Sequence, residues 1–321
     1  MQPVAPNMHF GFLQPLPRLY FAHTPKTAGL ALGTVLRDAY GRHARFPAYA
    51  RRHLASYTES QIACYRLFSG HWGIGFMALL PAGTELITVL RDPVEQTMSW
   101  WHHMRRTILQ YPAWYAQERA RWQPLLDQDL SGSLASPFLV GLMTNMQCKH
   151  LGVHFDLRPW TGIGESNAGA LQSQFHSAFA SADDVAAYHQ ARQTLRQVSV
   201  LGITEQFGAT LAALCCFLGV PKPRREPQNN LNPQKSAPIT SYYRSRLDAS
   251  ALRQLEEMTR YDRMLYEEGL GFFAAQQLSL NARYAGRIRL LPTARSMLYR
   301  SARRAWRHAR HTAPWLDHLR R

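Results

Sequence analysis

Little in this chain supports a scaffold stapled by sulfur or a segment built for a bilayer. Four cysteines, Cys64, Cys148, Cys215 and Cys216, stand among 321 residues. None belongs to a C-x-x-C pair, and the adjacent Cys215 and Cys216 are poorly spaced for a structural disulfide. Free thiols in a reducing compartment are expected, and the spacing of a zinc site is missing. No stretch offers 18 uninterrupted apolar residues, so no membrane-spanning helix is expected. The first twenty residues hold four prolines and no charged leader ahead of an apolar run. That is unlike a secretory signal and makes a cytoplasmic location the expectation. The phosphate-loop signature G-x-x-x-x-G-K-[ST] is also missing, as is a convincing Walker-B aspartate for Mg²⁺.

Acidic residues are scarce as well: 21 Asp and Glu face 37 Lys and Arg, a formal charge of +16. The excess is uneven. Residues 281–321 carry eleven arginines and one aspartate, which leaves the remainder only mildly basic, as suits an anionic ligand.

What is present alternates between short apolar runs and helical patterns. Strands are expected at 19–23, near 67–70, at 86–90 and at 198–203. Helices are expected at 28–40, 58–65, 94–106, 138–150, 183–196, after 204, at 242–258 and at 261–268. Residues 110–135 look like an insertion, and the Gly-, Ser- and Asn-rich residues 151–180 read as loop. The polar, Pro-rich stretch from Pro221 to Pro238 also reads as loop. Strands that are apolar on both faces and alternate with helices imply an α/β fold with a mostly parallel sheet flanked by helices.

Three stretches carry chemistry. "HTPKTAG" (23–29) lies between a strand and a helix, where free backbone N–H groups and Lys26 can hold an anionic oxygen. "TVLRDPVEQTMS" (88–99) puts Arg91 at a strand end and Ser99 eight residues on. An arginine fork suits a second phosphate. "SGHWG" (69–73) sets His71 between glycines, where an imidazole can take a proton from a hydroxyl near neutral pH. Each has a plainer reading alone: a solvent lysine, an Arg91–Asp92 pair at a strand end, a structural histidine.

Taken together, in this order and spacing, they resemble the carbohydrate-type sulfotransferases that use 3′-phosphoadenosine 5′-phosphosulfate, closest to the uronyl 2-O-sulfotransferase branch. "LMTNMQCKHLG", with Asn145 and Gln147, "LGITEQFGATLAALCCFLG" and "NNLNPQKSAP…YDRMLYEEG" give weaker support. The resemblance spans about residues 18–270, after an irregular lead-in over 1–17 and before an Arg-rich tail over 271–321. It implies a P-loop-like sulfotransferase fold. It implies that Lys26, Thr27, Ala28, Gly29, Leu30 and Ala31 line the 5′-phosphosulfate, that Arg91 and Ser99 bind the 3′-phosphate, and that His71 is the base. Lys26 would also assist catalysis by neutralising the leaving oxygen. Lys235 would sit in a loop that closes over the donor. The implied reaction is in-line transfer of a sulfuryl group to a hydroxyl of a carbohydrate or glycolipid acceptor, without a metal.

Two departures stand out. Leu30 and Ala31 occupy positions where the family often has hydroxyls; at roughly 1.5–3 kcal/mol per charge-assisted bond, their loss weakens donor binding. Gln96 stands where arginine is common. A non-catalytic protein that only binds the donor or its desulfated product is the alternative, with a nucleotide kinase or NTPase further behind.

For the acceptor, Trp72, Trp100, Trp101, Trp114 and Trp122, with His102, His103, Arg105 and Arg106, would either form a basic sugar cleft or pack the core. In the tail, Leu298, Tyr299, Ala302, Ala305, Trp306 and Ala309 fall on one helical face opposite Arg300, Arg303, Arg304, Arg307 and Arg310. A basic amphipathic helix of this kind fits the surface of an anionic membrane, whereas a helix docked on its own domain or a partly disordered tail is the plainer alternative. Nucleic acid is disfavoured because no recognition motif accompanies the charge.

Overall fold

Short runs such as "LYFA" and "ELITVL" bury both faces, so they need cover on both sides of a sheet. The computed structural model describes residues 16–127, 129–225, 227 and 242–283. Four strands, β1 (Leu19–Ala22), β2 (Leu67–Gly70), β3 (Glu85–Leu90) and β4 (Val200–Ile203), form one parallel sheet in the order β2-β1-β3-β4. Ala22 at the end of β1 pairs with Gly70 on one side and Thr88 on the other. Leu90 pairs with Ile203.

The helices are α1 (Gly29–Tyr40), α2 (Glu59–Ala63), α3 (Pro93–Gln110), α4 (Arg119–Asp127), α5 (Leu130–Leu134), α6 (Pro137–Met143), α7 (Met146–Gly152), α8 (Ala168–Ala180), α9 (Asp184–Leu195), α10 (Phe207–Leu218), α11 (Ala249–Met258) and α12 (Arg260–Arg283). On one sheet face Leu19, Phe21, Ile87 and Val89 pack against Leu32 and Leu36 of α1 and Leu211 and Leu214 of α10. On the other, Tyr20, Leu86, Leu90 and Leu201 pack against α2, α7, α9 and α12. A third cluster lies among helices, joining α3, α4, α6, α8 and α11. The protein is therefore α/β, a parallel sheet flanked by helices. From β1 the chain crosses to one neighbour, β2, and then returns to the other, β3. The ends of β1 and β3 thus form a topological switch point, where open α/β sheets bind ligands.

Several expected boundaries move, each for a visible reason. The helix over 138–150 is two helices, because Asn145 adopts a left-handed conformation (φ 44°) between them. Residues 151–180 are not all loop: α8 fills their second half, with Leu171, Phe175 and Phe179 buried four residues apart. The insertion over 110–135 is helical and packed, with Trp122, Leu125 and Leu134 buried. Helix over 242–258 begins as α-helix only at Ala249, after a 3-10 turn at Arg244–Arg246. The helix expected to end at 268 runs on to Arg283. Gly269 permits this, since a Cβ there would sit 2.5 Å from Leu90 Cδ1. The glycine marks a close approach of α12 to the sheet and not a helix stop. Residues 1–15 and 284–321, with the whole of the proposed membrane helix, and Lys235 lie outside the described residues.

Candidate functional site

The loop after β1 is built around two unusual backbone positions. Lys26 (φ 68°) and Ala28 (φ 60°, ψ 17°) are left-handed without being glycine. Each costs about 1–3 kcal/mol, strain that clusters at ligand clamps and active sites. Left-handed residues in a turn aim successive N–H groups into an anion-binding concavity. The Ala28 and Gly29 amides donate to no acceptor among the described residues, and α1 has no side-chain cap.

The loop's carbonyls, by contrast, are held from behind. Thr27 Oγ1 donates to Thr24 O at 2.8 Å. Gln96 Nε2, from α3, donates to Pro25 O at 2.9 Å. Arg91 Nη1 donates to Lys26 O at 2.9 Å. With carbonyls turned to these donors, the amide edge faces the other way. Gly29 is obligatory for a different reason: a Cβ on it would lie 1.9 Å from His23 Nε2. The first and last residues of "HTPKTAG" therefore touch.

Arg91 is itself clamped. Its N–H donates to Gln147 Oε1 (3.0 Å), and Gln147 Nε2 returns a bond to Arg91 O (2.9 Å). Asp262 accepts the Gln147 and Cys148 amides at 2.9 and 2.7 Å, and Asn145 Oδ1 accepts the amides of Tyr261 and Asp262 at the start of α12. The "NMQC" stretch thus fastens α7 and α12 to the strand end. Arg91 as a whole is only 5% exposed. Besides Lys26 O it faces Glu95, 3.8 Å away, while its Nε has no hydrogen-bond partner. Glu95 is fully buried and also accepts the Tyr243 and Arg244 amides (2.7 and 3.0 Å). Ser99 hydrogen-bonds the Tyr243 phenol, on which His102 stacks at 5.2 Å. Arg91 and Ser99 are thereby joined through Glu95 and Tyr243.

His71 leaves the end of β2 beside this loop. Its Nδ1 donates to His23 O at 2.7 Å, and its Nε2 is 3.1 Å from Tyr49 Oη. Tyr49 Oη also lies 2.7 Å from His23 Nδ1. The two imidazoles are 4.4 Å apart. Burial, together with the nearby His71, His150 and Lys26, holds the His23 imidazole well below its ordinary value. On α3, burial and the charges of Lys26 and Arg106 push His103 down to about 4. Burial first, and the positive charge around Lys26 second, keep His23 and His103 neutral.

The structure brings together Lys26, Thr27, Ala28, Gly29, His71 and Arg91, though the bonds joining them span up to 65 residues of chain. Leu30 is 39% exposed at the helix start, and Ala31 is buried. Among the tryptophans whose side chains are described, Trp72, Trp100, Trp101 and Trp122 are all buried and pack the core, the second reading their sequence allowed; the side chain of Trp114 lies outside the described residues. The residues sequence reasoning passed over are His23, Tyr49, Glu95 and the loop-holding role of Gln96. His23 stood inside the quoted motif, whereas Tyr49 sits in a basic, aromatic connection with no pattern to mark it. No protein-family model matches the chain, and no curated protein matches it.

Proposed function

We propose that this chain is a sulfotransferase that moves the sulfuryl group of 3′-phosphoadenosine 5′-phosphosulfate to a hydroxyl of a carbohydrate or glycolipid acceptor. One observation carries the proposal. Three motifs distant in sequence, the lysine loop, His71 and Arg91, are joined by direct hydrogen bonds at the switch point, around a strained loop whose Ala28 and Gly29 amides meet no acceptor among the described residues.

The residues fit such a donor. The Ala28 and Gly29 amides and Lys26 suit the 5′-phosphosulfate, with Thr27 fixing the turn and Leu30 and Ala31 contributing backbone only. Thr24 Oγ1 and Gln96 Oε1, buried without partners, are further polar atoms beside the loop. Arg91, through its unpartnered Nε, and Ser99 suit the 3′-phosphate, and Lys235 remains the candidate for a closing loop. The donor, when bound, supplies an activated sulfuryl group whose leaving group is a phosphate. His71 accepts the acceptor's proton. Lys26 and the loop amides hold the charge that builds on the leaving side, where preorganised donors contribute most to rate. The basic segment 281–321 is proposed to touch an anionic membrane; deleting it should abolish sedimentation with anionic vesicles.

Incubation with labelled donor and a panel of glycans and glycolipids tests the activity. Label should move to an acceptor, and His71→Ala should lose about 10²-fold or more in kcat. A His71→Ala enzyme as fast as wild type would remove His71 as the base. Leu30 and Ala31 favour one second reading, a protein that binds the donor or its desulfated product without turnover. Binding without label transfer across the whole panel would select it.

A further inference from the structure

The hydrogen bonds around His71 fix its protons. A carbonyl only accepts, so the 2.7 Å contact with His23 O places a proton on His71 Nδ1. Neutral His71 then presents the Nε2 lone pair to Tyr49 Oη. A phenol has one proton. If it goes to His71 Nε2, the contact with His23 Nδ1 at 2.7 Å must be donated by His23. The result is one directional circuit: His23 Nδ1–H to Tyr49, Tyr49 O–H to His71 Nε2, His71 Nδ1–H back to the His23 carbonyl.

Tyr49 is placed there by the fold. Its carbonyl accepts the His71 amide at 3.3 Å, and its own amide lies 3.4 Å from His53 Nδ1. Its backbone passes so close to β2 that a Cβ on Gly70 would sit 2.5 Å from Tyr49 O. The phenol packs edge-on to the His71 ring at 4.9 Å. An acceptor hydroxyl cannot reach the His71 lone pair while Tyr49 covers it.

We propose that Tyr49 relays the acceptor's proton to His71. The acceptor O–H gives its proton to Tyr49 Oη as Tyr49 gives its own to His71 Nε2. The acceptor loses one proton, His71 gains one, and Tyr49 ends as it began. His23 keeps its Nδ1–H on the phenol oxygen throughout and orients the remaining lone pair. Burial raises the phenol's pKa, so Tyr49 stays protonated and works by concerted transfer, never as a resident phenolate. The relay rests on the sulfuryl-transfer reading, but its hydrogen-bond circuit can be measured without it.

Two measurements test it. In the transfer assay Tyr49→Phe, which keeps the ring, should lose about 10²-fold in kcat with KM for the donor nearly unchanged. His71→Ala should lose a similar factor, and the double variant little more than either single one, as groups acting as a unit do. A Tyr49→Phe enzyme at wild-type speed, or losses that multiply, would overturn the relay. In nitrogen-15 spectra of the imidazoles, wild-type His71 should be the Nδ1–H tautomer, and Tyr49→Phe should shift both His71 Nε2 and His23 Nδ1. A wild-type His71 carrying its proton on Nε2, or shifts unmoved by the variant, would overturn it too. If wild-type protein transfers no sulfuryl group, the functional reading falls, and the spectra still decide the circuit.

Discussion

The strand-end site and the tryptophan-rich helical layer look alike in sequence, both crowded with histidine, arginine and aromatic residues, yet the structure treats them oppositely. In the layer, the buried charge pair is saturated, although Trp122 Nε1 there has no partner. Glu118 accepts His176 Nδ1 at 2.8 Å, Arg121 at 3.1 Å and Ser173 at 3.2 Å, and the Trp122 and Phe138 rings close around that histidine. A carboxylate–imidazole pair of this geometry resembles catalytic machinery, but here it clamps α8 to the chain entering α4. At the strand ends the backbone is strained at Lys26 and Ala28, the Ala28 and Gly29 amides meet no acceptor among the described residues, and positive groups crowd one another. A saturated carboxylate–imidazole pair marks structure. Strain and unbalanced charge, held in place by bonds from three distant segments, mark a site built for something absent from the chain itself.

The comparison breaks most easily at Gly29. Gly29→Ala drives a methyl group into the His23 ring. It should abolish donor binding measured by titration calorimetry, with a lower melting temperature; binding within a few-fold of wild type would show that the loop is not the site. Trp122→Ala should do the reverse. Emptying that buried position costs about 3–5 kcal/mol by chemical denaturation, while kcat per folded molecule stays within about two-fold. A large fall in kcat at saturating acceptor would move the helical layer into the site.

The pH dependence sharpens the contrast further. Between about 4 and the ordinary 6.5, His103 takes a proton only in the unfolded chain. Its contribution to stability is therefore complete above about 6.5 and declines as pH falls toward 4. His23 and His102, also depressed, act in the same sense. Asp262, raised to about 6 by burial, acts in the opposite sense, losing stabilisation as pH rises from about 3.8 to 6. Comparing wild type with His103→Gln isolates one term: wild-type melting temperature should drop more steeply between about pH 7 and 5. Parallel curves would mean the rim does not hold His103 neutral. The smallest effect expected is at Leu30, where Leu30→Thr restores a hydroxyl at the exposed loop edge. Donor affinity should tighten by up to about tenfold, roughly 1.4 kcal/mol.

Much of this was legible in the sequence because the signals were local. Short apolar runs ending in His-Thr-Pro-Lys, Gly-His-Trp and Arg-Asp-Pro give strands with loops at one end, and parallel pairing gathers those ends. The miss at 168–180 came from small and polar residues that hide an apolar stripe at Leu171, Phe175 and Phe179. The long α12 was hidden by Gly269, whose reason is a contact with Leu90 far away in sequence. Glu95 and Gln96 lie in a polar-looking first turn of α3, where a sequence gives no sign that both are buried against other segments. Tyr49 is the hardest case. Nothing in its neighbours marks it, and only the crossing of its backbone over Gly70 brings its hydroxyl between two histidines.

The most direct test of the central claim, that the strand-end loop holds the phosphosulfate end of a 3′-phosphorylated nucleotide, is calorimetric titration of the full chain with 3′-phosphoadenosine 5′-phosphate and, separately, with ATP and Mg²⁺. Saturable binding of the former, lost in Lys26→Met and retained in Trp122→Phe, with no comparable binding of ATP, is the expected result. Tight binding of ATP with Mg²⁺, or binding of the bisphosphate that survives Lys26→Met unchanged, would contradict it.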